Sequence, residues 1–357
     1  MNAPLGGLPP LVALCGAHWR LEAPVVAVAW SRRGGPAAFA MGDGGVVFAR
    51  PPTRPGGQGA PGLVRMEAHA GACLALAADP AGGFVSGGDD GRLLHLDPAA
   101  GAASAPAVLA DHRGEWLDHV AVGARGLRAC ASGRRVWLHG PGSEAVLELA
   151  SGVTALAFDP AGGRLAIAGH GGVELWSAAD GARRRLEAPG YHRALAWSPD
   201  GRYLASGMQE NALCCWRLGD GQRHLFEGYP GQPRALGFAA RGHLLASNGG
   251  PRVVSWDLDH PRPASTRSES GYPGRVPVSA LAWHPSRALL AAGYHNGAVL
   301  LCRPGSDQHL FVQGSGAGPV TALAWAADGA ALALGTQHGE LAVVAIPAQI
   351  LSMARAA

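Results

Sequence analysis

Apolar and polar positions alternate along this chain in short runs, and the runs recur in a fixed order. An alternating apolar run ends in Trp or Phe, a Pro/Asp/Gly turn follows, a second apolar run closes on Gly, and a polar turn leads to a third run that often holds Trp. The clearest copies read VTALAFDPAGGRLAIAGHGGVELW from Val153, RALAWSPDGRYLASGMQENALCCW from Arg193, VSALAWHPSRALLAAGYHNGAVLLC from Val278 and VTALAWAADGAALALGTQHGELAVV from Val320. Alternation with period two, bounded by Gly/Pro/Asp clusters, predicts short half-buried strands joined by tight turns.

The aromatic that closes the first run sets the period. Phe158, Trp197, Phe238, Trp283 and Trp325 follow one another at intervals of 39, 41, 45 and 42 residues. Upstream, Trp30 opens the series, and Ala78 takes the same place in CLALAADPAGGFVSGGDDGRLLHLD from Cys73. The 80 residues between Ala78 and Phe158 leave room for a degenerate copy, which WLDHVAVGARGLRACASGRRVWL from Trp116 fills. Eight copies are predicted, starting near residues 25, 73, 116, 153, 193, 234, 278 and 320. The count falls to seven if the copy at Trp116 merges with a neighbour. Fixed-period self-similarity of this kind decides the architecture before any single residue is interpreted.

These segments resemble the repeats of WD-repeat (WD40-type) β-propellers. Trp256-Asp257 is a literal Trp-Asp pair, and Trp137, Trp176 and Trp216 hold the same place in other copies. The resemblance runs from about Trp19 to Val344. It implies an all-β closed propeller of four-stranded antiparallel blades and a single domain over residues 1–357. It also implies structural roles for Trp30, Phe158, Trp197, Phe238, Trp283, Trp325, Trp137, Trp176, Trp216 and Trp256. Within the first run, Leu156 and Phe158 face one side and Ala155 and Ala157 the other, as alternation across a pleat requires. A large face on one blade then meets a small face on the next where the sheets converge.

Trp19-Arg20-Leu21-Glu22 looks like an outer strand with no first, second or third strand of its own upstream. Its expected partner is the last copy, Val320 to Val344, with the tail from Ile346 to Ala354 as the alternative source of that strand. An unpaired edge would invite aggregation, so one of the two is required.

Composition fits many short strands: 54 Gly, 27 Pro and 48% hydrophobic residues in a chain of 357,. The net charge is +3, and the 29 basic residues include no Lys. An Ala/Gly/Arg-rich, Lys-free chain points to a GC-rich coding sequence of bacterial appearance. Arg183-Arg184-Arg185, the densest basic run, falls on a predicted outer strand where edge charge is expected. Nucleic-acid binding is therefore not expected. No run reaches the roughly 20 apolar residues of a membrane span, and the N-terminal apolar stretch lacks a basic lead and is broken by Pro9-Pro10,. The six cysteines have no Cys-x-x-Cys spacing, so free thiols in a reducing cytoplasm are expected.

Catalytic motifs are missing from the sequence: no phosphate-cradling loop with its Lys, no His-Glu-x-x-His and no Gly-x-Ser-x-Gly,. No cofactor is expected. Attention therefore moves to the connections. In an up-and-down blade, the second-to-third-strand turn and the link to the next blade emerge on one face, the top. The first-to-second-strand turns, such as Asp159-Pro160-Ala161-Gly162 and Ser198-Pro199-Asp200-Gly201, emerge on the other, together with the Pro/Gly-rich loop 51–62,. Gly-Tyr recurs in three successive top links, placing Tyr191, Tyr229 and Tyr272 there beside Trp116 and Tyr294. Large amphipathic rings of this kind anchor protein contacts.

Histidines gather on the same face. The family resemblance implies that a His in the link bonds an Asp in the turn, which pairs His69 with Asp89 or Asp90, near Ser86. His170, His295 and His338 instead occupy the turn where Asp is expected, and could bind a borderline metal if their loops lean inward. The expected function is a non-enzymatic, monomeric scaffold that presents a rigid face to a protein or peptide. The alternative is a metal- or small-molecule-binding, even hydrolytic, propeller built on top-face His and Asp.

Overall fold

Each alternating run folds as a strand, and each tight turn reverses it. The computed structural model describes residues 9–52, 62–101, 104–141 and 143–353. Most of the Pro/Gly-rich loop, residues 53–61, and the end of the tail at Ala354 lie outside these. The second repeat illustrates the unit: Cys73–Ala78 pairs with Phe84–Gly88, that strand with Arg92–Leu96, and that one with Ala107–Asp111, all antiparallel. The weak copy at Trp116 builds the same unit from His119–Val122, Arg128–Ser132, Arg135–Gly140 and Ser143–Glu148.

Counted by hydrogen bonding, the described residues form seven sheets, six of four strands and one of six. Seven is the smaller of the two expected counts, but the merger falls elsewhere than expected. The repeats beginning at Val153 and Arg193 share the six-stranded sheet, while the copy at Trp116 keeps its own. In the shared sheet, Arg164–Ser177 and Arg183–Trp197 each run through two strand positions without a break. The first of these folds back on itself, with the Ala178 amide donating to the Gly163 carbonyl at 2.9 Å. Glycine makes this continuity possible. Gly172 turns the chain at φ 140°, where a Cβ would lie 2.2 Å from the Leu186 carbonyl, and Gly190 carries it into the next repeat at φ 109°,. All eight repeats are thus carried on seven sheets.

The first strands pack on one another in chain order, and Val25–Trp30 packs on Val320–Trp325, so the first and last repeats are neighbours. Gly16–Arg20 supplies the outer strand of the last sheet, paired from Gly16 with Val344 to Arg20 with Glu340. The tail does not compete for that position. It forms a short helix, Ala348–Met353, whose Leu351 joins Leu11 of a second short helix, Leu11–Cys15, in the apolar cluster beside the last two sheets. No helix among the described residues is long and apolar enough to cross a membrane.

Apolar clusters fill the seams between sheets. Trp30, Trp176, Trp216, Trp256, Phe238 and Trp325 are buried, whereas Phe158, Trp137, Trp197 and Trp283 are half-buried. First-strand indoles also tie successive repeats together. Trp197 Nε1 donates to the Ala157 carbonyl at 3.0 Å, Trp283 Nε1 to Gly237 at 2.8 Å and Trp325 Nε1 to Ala282 at 3.1 Å. Each indole reaches the residue just before the closing aromatic of the preceding repeat. Alternation thus fixes both the buried face and the sheet-to-sheet bond.

Candidate functional site

On the top face, buried polar ties lock links to their own repeats. His69 bonds Asp90 Oδ1 through Nδ1 and Ser86 Oγ through Nε2, both at 2.9 Å. Burial lowers the His69 pKa. It works against the Asp90 carboxylate too, yet hydrogen bonds from His69, the Ala70 amide and Arg92 hold Asp90 at about 2,. His192 repeats the device with Ser206 Oγ at 3.0 Å and the Ala188 carbonyl at 3.2 Å. In the sixth repeat a tyrosine takes over. Tyr229 Oη lies 2.7 Å from Ser247 Oγ and accepts from Trp256 Nε1 at 2.7 Å.

This corrects the expectation of a tyrosine arc. Tyr229 is buried as a structural tie, and Tyr294 is buried as well, with its hydroxyl pushed up to about 12 by burial. Both rings join buried apolar clusters, Tyr229 from its link and Tyr294 from the end of the strand Leu290–Tyr294. Tyr191 is half-buried, its amide held by both Glu210 carboxylate oxygens and its ring beneath the Arg193 guanidinium at 5.5 Å. Tyr272 is 37% exposed and leans edge-on against His309 at the rim.

Trp116 is 66% exposed. Its link is pinned on both sides: the Leu117 amide donates to the Gly88 carbonyl at 3.0 Å, and Glu115 bonds Ser132 at 2.8 Å and Arg135 at 3.0 Å. A large ring is thereby held out from a rigid support.

His170, His295 and His338 are exposed and belong to no common group of metal-ligating side chains among the described residues. His170 lies within the strand Arg164–Ser177, opposite Tyr191, while His295 and His338 sit on separate turns. The histidine grouping that does form was missed in the sequence: His112, Cys130 and His139, whose ligand atoms lie within 4.8 Å of one another. These residues come from a link and two different strands, so no spacing motif announces them. All six cysteines are free, and all but Cys15 are buried.

The opposite face is cross-braced by charge. Arg128 bonds Asp79 at 2.7 Å, joining the second and third repeats. Arg164 bonds Asp159 at 2.8 Å and the Gly201 carbonyl at 3.1 Å, and lies over the Trp197 ring. His243 bridges Asp200 at 2.8 Å and Asp259 at 2.6 Å. Burial works against its protonation, but the two carboxylates outweigh it and raise the pKa. On this face a cavity of about 490 Å³ is lined by Arg32, Phe158, Asp159, Trp197 and Phe238 among others.

Radially packed antiparallel sheets with inter-repeat indole bonds define a β-propeller. Residues 281–351 match the family model of the anaphase-promoting complex subunit 4 WD40 domain, and residues 188–217 match the WD domain, G-beta repeat. The second of these covers the strands that carry His192, Ser206 and Trp216. The fold is thus a β-propeller, with WD40-type repeats in the matched segments. Among solved structures it is similar to the computationally designed Ika8 protein, at 19% identity and a TM-score of 0.71 over 92% of this chain and 98% of that one. In all, 1676 solved chains match, so the fold alone names no activity. A comparison with curated proteins finds no match.

Proposed function

We propose that the protein is a non-enzymatic interaction scaffold whose top face receives a protein or peptide, with Trp116 as the principal anchor. The observation that carries this is the exposed indole on a link pinned by Glu115, Ser132 and Gly88. A backbone already held in place loses little conformational freedom on binding, and an exposed indole on such a support suits a hot-spot residue. Tyr272 and the exposed part of Tyr191 supply secondary contacts. A propeller repeat related to a subunit of a multi-protein complex is consistent with this use. The free thiols fit a monomer working in the reducing cytoplasm,.

The test is a photo-crosslinking amino acid placed at residue 116, and separately at Ala161, an exposed residue of the opposite face. Cross-linked peptides from position 116 are expected to come from one partner, and Trp116→Ala should abolish its capture while leaving the melting temperature unchanged. Adducts formed only from position 161 would move the functional face to the side that holds the cavity.

A further inference from the structure

The seam between the second and third repeats has a small apolar cluster, Val85, Leu93, Leu117 and Cys130. Polar side chains extend it. His112 Nε2 lies 3.4 Å from His139 Nε2, and Cys130 Sγ lies 3.8 Å from that same nitrogen. Two imidazole nitrogens and a sulfur therefore converge on one point.

We infer that His112, Cys130 and His139 form a binding site for a zinc-like divalent metal ion that fastens the link leaving the second repeat to two strands of the third. Three observations carry this. The two edges at His139 Nε2 fit: with Zn–N about 2.05 Å and Zn–S about 2.3 Å, a tetrahedral site has N···N edges of about 3.3 Å and N···S edges of about 3.6 Å, and the third, from His112 to Cys130, lies within 4.8 Å. The donors are of the right chemistry, since imidazole and thiolate together select zinc and its borderline neighbours over magnesium or calcium. Support lies behind them as well. His139 Nδ1 is buried without a hydrogen-bond partner, and the Glu144 carboxylate stands 3.5 Å from it, where it can take that proton-bearing nitrogen once Nε2 is bound to metal,. Trp137 stacks on His112 at 4.3 Å and 24°, fixing its plane. His112 is half-exposed, so an ion can enter and the fourth position is left to water.

Cobalt(II) reports such a site directly. Untagged protein stripped with chelator should bind one cobalt per chain and develop a thiolate-to-cobalt charge-transfer band. Zinc should displace the cobalt and raise the melting temperature. Cys130→Ala should remove the band, His112→Gln should weaken cobalt binding by more than about a hundredfold, and Glu144→Gln by about tenfold. His112 is half-exposed, so its variant should keep the wild-type circular dichroism spectrum even if Cys130→Ala does not. Absence of stoichiometric binding would overturn the inference, as would equal binding by the His112→Gln protein. Loss of binding in a His170→Gln/His295→Gln/His338→Gln variant, with His112→Gln unaffected, would move the site to the turns.

Discussion

Two seams of this propeller solve one packing problem in opposite ways. Between the fifth and sixth repeats, Tyr203, Phe226, Tyr229, Phe238 and Trp256 are all buried in one cluster, and Phe226 and Trp256 meet with ring centroids 4.6 Å apart. Between the second and third repeats the fully buried cluster is four side chains, flanked by His112, Trp137 and His139. The first seam is held by apolar area and a saturated hydrogen-bond tie. The second depends on polar groups with incomplete partners. Repetition of a strand pattern therefore does not imply equal stability around the ring, because each seam is set by what the neighbouring faces contribute.

Removing the central ring of each seam should give the sharpest separation. Trp256→Ala should lower unfolding free energy by about 3–5 kcal/mol, as for a buried Trp. Trp137→Ala, which deletes a half-buried ring, should cost roughly 1–2 kcal/mol. Urea denaturation of both variants measures the difference, and equal losses would erase the distinction between the seams.

A smaller change isolates the tie within the aromatic seam. Tyr229→Phe keeps the ring but leaves Trp256 Nε1 and Ser247 Oγ without their shared partner. The expected loss is about 1–3 kcal/mol, since a buried donor left unpaired forfeits its desolvation cost. A variant as stable as the parent would mean that the ring alone fastens the link.

The least effect is expected from His243, which braces the fifth repeat to the sixth on the opposite face. Its folded pKa is raised above the ordinary value of about 6.5 by Asp259 and Asp200, against the pull of burial,. Its contribution is therefore complete below about pH 6.5 and lost as pH rises through the folded value. Urea midpoints measured across this range should fall more with rising pH in the parent than in His243→Gln. Parallel slopes would show that the bridge adds nothing.

Much of the architecture could be read from alternation and period, since these directly encode strands, turns and the aromatic that closes each first run. The blade count by sheets could not, because the break between repeats four and five depends on whether the strand Arg183–Trp197 runs on through Gly190. The tie of His69 to Asp90 and Ser86 was legible from the family pattern. The role of Tyr229 was not, because Gly-Tyr looks alike in all three links, and only Ser247 and Trp256 mark it as the counterpart of His192. Aligning Ser206 and Trp216 of the preceding repeat with those two would have found it. The His112–Cys130–His139 group stayed hidden because strand pairing, notably Cys130 opposite Trp137, is what brings its members together.

The outer strand Gly16–Arg20 emerges from the ribosome long before its partner Glu340–Ala345. Seven repeats can assemble as they are made, yet the final sheet must wait with an open edge until the last strand is available. Until then the early segment is a free ribbon and the nascent ring is vulnerable to pairing with another chain. The order of synthesis thus runs against the order of pairing, because the last sheet joins a strand made early to one made more than 300 residues later.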